Sequence, residues 1–366
     1  MSDITISQKS TPKTGIFSNL GSKVSGLVPK IDWLALLKNT GVTLASMLVF
    51  LLIWHLGASY LYNIEATAKI EKARTEQGAA AATEMEQCIA SGDVSCQPNT
   101  LPSPAKVRLA ASNLWVDHIA ISAKKVEFKA KVAATNKDRK AQGLAAIKYT
   151  GRPSFIDQIG TSLKTVFAGF MLALFVAVPI GIIIGLNDNL RKAFNWLIQV
   201  FKPVSPVVWL LLVFMIVKTV MLGSDSDTSF LISFISVGLC AMWATLVNTA
   251  VGVSSVDKDY MNVANVLQLN VFKKIFKVIL PSSIPMIFTG MRITISVAWM
   301  VLIAIELLAQ SPGLGSFVWE EFQNGANDSN AKIIVAMFVI GFIGFLLDRL
   351  MVVFQNAVAF EKTAVA

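Results

Sequence analysis

Four ionisable residues, Lys164, Lys218, Arg292 and Glu306, fall inside long apolar stretches of this 366-residue chain. A charge in such surroundings is costly to keep and is commonly a working group. Lys164 and Lys218 lie toward the ends of their stretches, where a long stem also lets a lysine reach water. Arg292 lies about two turns inside one boundary and can pair with an acceptor on a neighbouring helix. Glu306 lies near the opposite end of the same stretch, so a single helix does not bring the two together. Facing an anion it would repel, which favours a structural or gating role. Thr245, Asn248, Thr294 and Ser296 can hydrogen-bond a small, weakly hydrated anion or hold helices together. These eight are the candidates for lining a polar path through the apolar region.

Catalytic motifs are absent from the sequence. No Gly-x-x-x-x-Gly-Lys-Ser/Thr loop, dinucleotide fingerprint, Gly-x-Ser-x-Gly or His-Glu-x-x-His occurs. His55 and His118, the two histidines, have no ligand-spaced partners, so no metal site is expected. Cys240 reads as a small packing residue. Cys88 and Cys96, set among Ser91, Gly92 and Pro98, can close a turn as a disulfide in an oxidising compartment; two free thiols are the alternative. The chain is expected to carry no catalytic residue and no cofactor of its own. Whatever drives it comes from an ion gradient or a separate subunit.

The elements that must position these residues are set by composition. Hydrophobic residues make up 54% and charged residues 15% of the chain, against about 25% charged in soluble domains. That excludes a disordered chain and points to a membrane protein. A spanning helix takes about 20 mostly apolar residues, and six candidates meet this: Val42–Leu61, Leu163–Leu186, Val204–Leu222, Phe230–Val251, Ile284–Leu308 and Ile333–Phe354. The first 40 residues lack a short apolar region with a cleavage site, so Val42–Leu61 reads as a retained first span.

Charge sets the orientation. With the N-terminus inside, residues 1–40, 187–203 and 252–283 hold twelve basic residues: Lys9, Lys13, Lys23, Lys30, Lys38, Arg191, Lys192, Lys202, Lys258, Lys273, Lys274 and Lys277. The short outer loops Gly223–Ser229 and Ala309–Lys332 carry Asp225, Asp227, Glu320, Glu321 and Asp328, with Lys332 alone at a helix edge. This asymmetry places both termini inside. It also accounts for much of the net +9 without invoking nucleic acid. Residues 63–152 interrupt the pattern as an extracytoplasmic insert with fourteen basic and nine acidic residues. Glu65–Glu86 favours helix, Pro102 and Pro104 break it, and Ala105–Ala134 reads as helix again. The expected domains are a cytoplasmic segment 1–40, a first span 41–62, the insert 63–152, and a core 153–358 with five spans and the inner loop 252–283.

That loop, from Asp259 to Pro281, is amphipathic. Val263, Val266, Leu267 and Leu269, then Val271, Phe272, Ile275, Phe276 and Ile279, alternate with three lysines on another side. Asn270 reads as a left-handed turn residue between two short helices. Pro281 and Pro285 are expected to stop or bend the chain before the fifth span. Such a segment suits a docking element or a membrane-surface helix whose lysines meet lipid headgroups.

The loop resembles the coupling loop of importer-type ABC permeases: Glu-Ala-Ala, three residues, Gly, nine residues, a hydrophobic residue, any residue, Leu-Pro. Counting back from Leu280-Pro281 puts Asn262, Val263 and Ala264 on the Glu-Ala-Ala positions and Gln268 on the glycine. Asn262 and Gln268 depart from the pattern, and the absent glycine weighs against the usual turn geometry. Further stretches resemble one branch, the nitrate/nitrite/bicarbonate and taurine-like permeases. They are Pro203–Trp209, Val247–Val253, Asp259–Leu269, Leu280–Arg292, Trp299, Glu306, Gly313-Leu-Gly315, Phe317-Val-Trp319 and Leu346–Leu350. Where that branch has a proline after Trp-Leu, this chain has Leu211. The resemblance covers roughly Phe155–Phe354, and the insert has no part in it.

The resemblance implies an all-α, polytopic type I ABC importer permease fold with six spans and a helical extracytoplasmic insert, in the bacterial inner (cytoplasmic) membrane. It implies two cytoplasmic ABC ATP-binding subunits, in which ATP and Mg act, and a periplasmic substrate-binding protein. A second permease subunit, as a homodimer, and membrane lipid are the other expected partners. By the same resemblance Tyr260, Asn262, Val263, Ala264, Leu267, Gln268, Leu269, Phe272 and Pro281 couple to the ATPase, ordinary packing beneath the bundle being their alternative. The implied cargo is a small inorganic anion, nitrate or nitrite, with bicarbonate, cyanate or a sulfonate as alternatives. The rival from another class is a gradient-driven transporter or channel. It predicts inverted repeats and helices broken in mid-span, whereas the Gly and Pro interruptions here cluster at span ends.

Overall fold

The computed structural model describes residues 33–93, 95–221, 228–326 and 328–358, the side chains of 33–40 excepted. The lysines of residues 1–32, the side chain of Lys38, and Asp225 and Asp227 lie outside the described residues. Among those described, five helices are long and apolar enough to cross a membrane, six if a bent pair counts as one span.

The first helix, α1 (Trp33–Gln77), runs unbroken for 45 residues. The boundary expected after residue 62 therefore falls inside a helix, which runs through Gly41 and Gly57 and ends only where Gly78 takes a positive φ (94°). Contacts divide the chain into two units after Gly57. In the first unit Val42, Met47, Leu48, Phe50 and Ile53 are all exposed, a helix clothed in apolar side chains whose natural solvent is lipid.

In the second unit, α1 from Ala58 onward joins α2 (Ala79–Ser91) and α3 (Pro104–Ala141), the helices of the insert. Cys88 and Cys96 are disulfide-bonded, their Cα atoms 5.9 Å apart. Within the loop they close, Ser95 donates its N–H and its hydroxyl to Asp93, which holds that carboxyl below its ordinary range. Gln97 ties the insert together: Tyr62 donates to its Oε1 (2.8 Å), Lys69 to its carbonyl (3.0 Å), and its own amide donates to Ile89 (3.0 Å). Val107, Ala110, Leu114 and Ile121 form the buried stripe of α3. On the same stripe, the His118 ring lies 2.8 Å from Ser154 Oγ and Lys125 pairs with Asp157.

Ser154 and Asp157 form the capping box that starts α4 (Phe155–Leu186) two turns earlier than the apolar run suggests. α7 (Ser229–Ser254) is the central helix and packs on both α4 and α10 (Leu280–Ala309). Close approach to α4 depends on Gly181 and Gly185. A Cβ at either would meet Thr249 at 2.7 Å or Val253 at 2.6 Å, the small-residue contact typical of membrane helices.

Two sequence expectations change here. Residues 187–203, counted as an inner segment from their charge, form the amphipathic helix α5 (Asp188–Phe201), capped by Asn187. It turns by 98° into α6 (Pro206–Val220). At 15 residues α6 is about 22 Å long, short of the roughly 30 Å hydrocarbon core. Secondly, Pro281 and Pro285 do not stop the chain. From Val271 it continues through α9 (Val271–Lys274) and a π-turn at Ile275–Ile279 into α10, with Pro281 in the first turn and Pro285 inside. The wider π-turn takes up the hydrogen-bonding mismatch that a proline brings.

α11 (Leu314–Asn324) and α12 (Ser329–Val358) complete the described chain. The insert is fastened here also, since Asn330 donates to Asn99 (2.6 Å) and Asn99 to the carbonyl of Gly325 (3.3 Å).

Candidate functional site

The inner turn between α7 and α10 is built from a short helix, α8 (Lys258–Val266), capped by Asp257, whose side chain accepts from the Asp259 N–H. α8 ends in a pair of bonds that define a Schellman motif: Leu269 N–H to Ala264 O (3.1 Å) and Gln268 N–H to Asn265 O (2.9 Å). Gln268 takes the left-handed position with φ 49°. The missing glycine thus leaves the turn intact, because six-to-one and five-to-two bonding outweighs the modest cost of a side chain there. Asn270 is not the left-handed residue. It is extended (φ −60°, ψ 154°) and caps α9, its Oδ1 accepting from Val271. Lys274 reaches back to Asn265 Oδ1 at 2.7 Å and braces the two short helices.

This geometry creates a cavity of about 250 Å³ lined by Tyr260, Val263, Ala264, Leu267 and Leu269 on one side and Lys277, Val278, Pro281 and Ser282 on the other. Six of the nine expected coupling residues meet there. Ala264, 1% exposed, forms its floor. Asn262, Gln268 and Phe272 lie off the groove, Phe272 on an exposed apolar rim with Val266, Val271 and Phe276. Apolar side chains this exposed beside lysines mark a surface made to be covered.

The eight polar residues read as a path do not form one constellation. Glu306 is 1% exposed; Ser162 Oγ lies 2.7 and 2.8 Å from its two carboxylate oxygens, and the Gly315 N–H donates to Oε2 at 2.9 Å. It joins α10 to Ser162 on α4 and to the start of α11. Thr245 and Thr294, both fully buried, bond each other at 2.7 Å and hold α7 to α10. Asn248 and Ser296 donate to carbonyls of their own helices, Ala244 and Arg292. Arg292 finds its acceptor on α12, where Asp348 takes both Nε and Nη2, the latter at 2.9 Å. Lys164 and Lys218 are exposed, the latter over the Phe214 ring. Ser162 and Asp348 are the partners that residue types alone did not single out. Asp348 was signalled by the Leu346–Leu350 stretch, whereas Ser162 carried no signal.

Residues 177–360 match the family model described as "Binding-protein-dependent transport system inner membrane component". The nitrate import permease protein NrtB of Synechococcus elongatus is 34% identical over 193 residues, 53% of this chain and 66% of that protein. The bicarbonate transport system permease protein CmpB of Synechocystis is 35% identical over 199 residues, 54% of this chain and 67% of that protein. The match thus spans just under two thirds of the nitrate permease's length. Among solved structures, a chain of the inward-facing MetNI methionine ABC transporter matches with a TM-score of 0.47 at 14% identity, over 56% of this chain and 95% of its own.

Proposed function

We propose, from the premise that this chain belongs to the family of binding-protein-dependent transport system inner membrane components, that it is the translocation subunit of an ATP-driven importer of a small inorganic anion. The chain is a multi-pass inner-membrane protein. Nitrate or nitrite is the preferred cargo, with bicarbonate next, in line with the names of the relatives; cyanate and taurine stand behind them. Two ATP-binding subunits would supply the energy, a binding protein the anion, and a second copy of the chain the other half of the pathway.

The observation that supports this reading is the rigid, apolar groove around Tyr260, Val263, Leu267 and Leu269. An ATPase surface element seated there grips a short helix that is bonded through the Schellman turn and continuous, through the π-turn, with α10. Movement of the ATPase therefore passes to a spanning helix as a rigid-body displacement rather than being absorbed by a soft loop. The chain's own part is to bind, to transmit and to pass the anion; hydrolysis belongs to the partner.

The test is uptake by proteoliposomes holding the chain with its ATP-binding subunit and binding protein. ATP-dependent entry of ¹⁵N-nitrate is expected, with bicarbonate, cyanate and taurine as competitors to rank. Flux through this chain alone without ATP would overturn the reading in favour of a gradient-driven carrier. Leu267→Asp should abolish co-purification of the ATPase while leaving the chain folded; an ATPase still bound and still stimulated by cargo would show that docking lies elsewhere.

A further inference from the structure

Buried polar atoms without partners demand an explanation, since each one costs free energy that folding must recover. Two of them are the indole N–H groups of Trp209 and Trp243. Neither finds an acceptor among the described residues, and Trp243 is only 6% exposed. They are neighbours: the ring centroids lie 6.5 Å apart, and Phe201 stacks on Trp243 at 6.0 Å with 9° between planes and contacts Trp209 at 5.9 Å.

Their position in the fold is unusual. Phe201 is the last residue of α5, and Trp209 lies in the first turn of α6, so the pair brackets the 98° break. Trp243 sits near the middle of α7, about 16 Å from its inner end at 1.5 Å per residue. The break expected at an inner span end is therefore packed against the middle of the central helix. The N-terminus of α6, a 15-residue half-helix, begins at that depth, with Ser205 capping Val207 N–H at a long 3.4 Å. A half-helix N-terminus inside a membrane bundle attracts negative charge; Trp209, in the first turn of α6, carries one of the two unused indole donors, and the Trp243 ring that carries the other packs against it.

We infer that the indole N–H groups of Trp209 and Trp243, at the N-terminus of α6, form a transient binding station for the transported anion. The inference rests on the anion-import reading and specifies its chemistry. Donors without a formal positive charge hold an anion that sheds water cheaply and leave it free to depart, which suits a planar, singly charged, weakly hydrated oxyanion such as nitrate. A more strongly hydrated bicarbonate would lose more on entry. Both donors are closed off from solvent in this structure, so the anion meets them only when α5 and α6 shift at the break, which is the hinge available for that movement.

The experiment uses the complete complex in proteoliposomes, with Trp209→Phe, Trp243→Phe, the double variant and Trp319→Phe. Phenylalanine keeps the aromatic packing and removes the donor. Trp319 is a control: its indole N–H is also buried and unpartnered, but it lies on α11, away from the break. Loss of one donor is expected to lower kcat/KM for ¹⁵N-nitrate uptake about tenfold, with the complex still assembled and Trp319→Phe at the wild-type value. Wild-type kinetics in both Trp209→Phe and Trp243→Phe, or an equal loss in Trp319→Phe, would overturn the assignment. Nitrate quenching of tryptophan fluorescence during ATP turnover decides the matter independently. A saturable component lost in Trp243→Phe supports the station even if nitrate uptake itself fails, in which case the import reading alone falls. No saturable component in the wild type removes the station.

Discussion

Ser162 on α4 stands 2.7 and 2.8 Å from the two carboxylate oxygens of Glu306 on α10, and the same hydroxyl accepts the Leu314 N–H at 2.9 Å. With the Gly315 N–H on Glu306 Oε2, a serine and a glutamate from two spanning helices take the N–H groups that Gly313, without a side chain, cannot cap. The contact is tight. A Cβ at position 313 would lie 2.2 Å from the Glu306 carboxyl, and one at 315 would lie 2.3 Å from the Ile303 carbonyl.

Ser162→Ala should therefore destabilise the protein by about 1–3 kcal/mol, the cost of leaving buried partners unsatisfied. Gly315→Ala should cost more, because the obstruction is backbone. Thermal midpoints in detergent read both; a Gly315→Ala protein as stable as wild type would show that α11 is not held by this contact.

At the inner turn, Gln268→Gly should be neutral or stabilising by up to about 1 kcal/mol, since glycine enters the left-handed region without a Cβ penalty. Gln268→Val should weaken the Schellman turn and uncouple ATPase stimulation from cargo. Equal ATPase stimulation in the two variants would mean that the turn conformation does not matter for coupling.

The Cys88–Cys96 bridge closes a short loop with a sequence separation of 8. Loop-closure entropy for that length gives about 2.5 kcal/mol. Cys88→Ser/Cys96→Ser should make residues 86–100 cleavable by an externally added protease at concentrations that spare the wild type, while the spans stay intact. An unchanged cleavage threshold would assign the order of this loop to Gln97 alone.

Thr294→Val removes a hydrogen bond between two fully buried threonines on α7 and α10 while keeping the shape of the side chain. The expected loss is about 0.6 kcal/mol, and no more than about 2. A collapse of transport without loss of stability would instead assign Thr294 to the pathway.

Much of the architecture was legible from residue types. Long apolar runs separated by lysine-bearing and aspartate-bearing loops can be little else, because hydrocarbon tolerates only helices with every backbone group bonded. Gln77 as the end of α1 was not legible: Ala, Glu and Lys continue a helix as readily in water as Leu does in lipid. Nor was the depth of the break at Lys202–Ser205, for Pro203 and Pro206 announce a break without saying what it packs against. The groove at the inner turn was readable from the apolar spacing of Val263, Leu267 and Leu269. Gln268 concealed its turn, since the signal there is a backbone bonding pattern and not a side chain. The roles of Glu306 and Thr294 depended on partners more than 40 residues distant, which spacing along one helix does not report.

Gln97 follows Cys96 directly, receives Tyr62 and Lys69, and leads within three residues into the Asn99 contacts with Gly325 and Asn330. The residues between α11 and α12 are thereby fitted to the segment that follows the disulfide. Oxidation proceeds on one side of the membrane only. A chain in which Cys88 and Cys96 stay reduced keeps every span and lacks the covalent closure that precedes this joint.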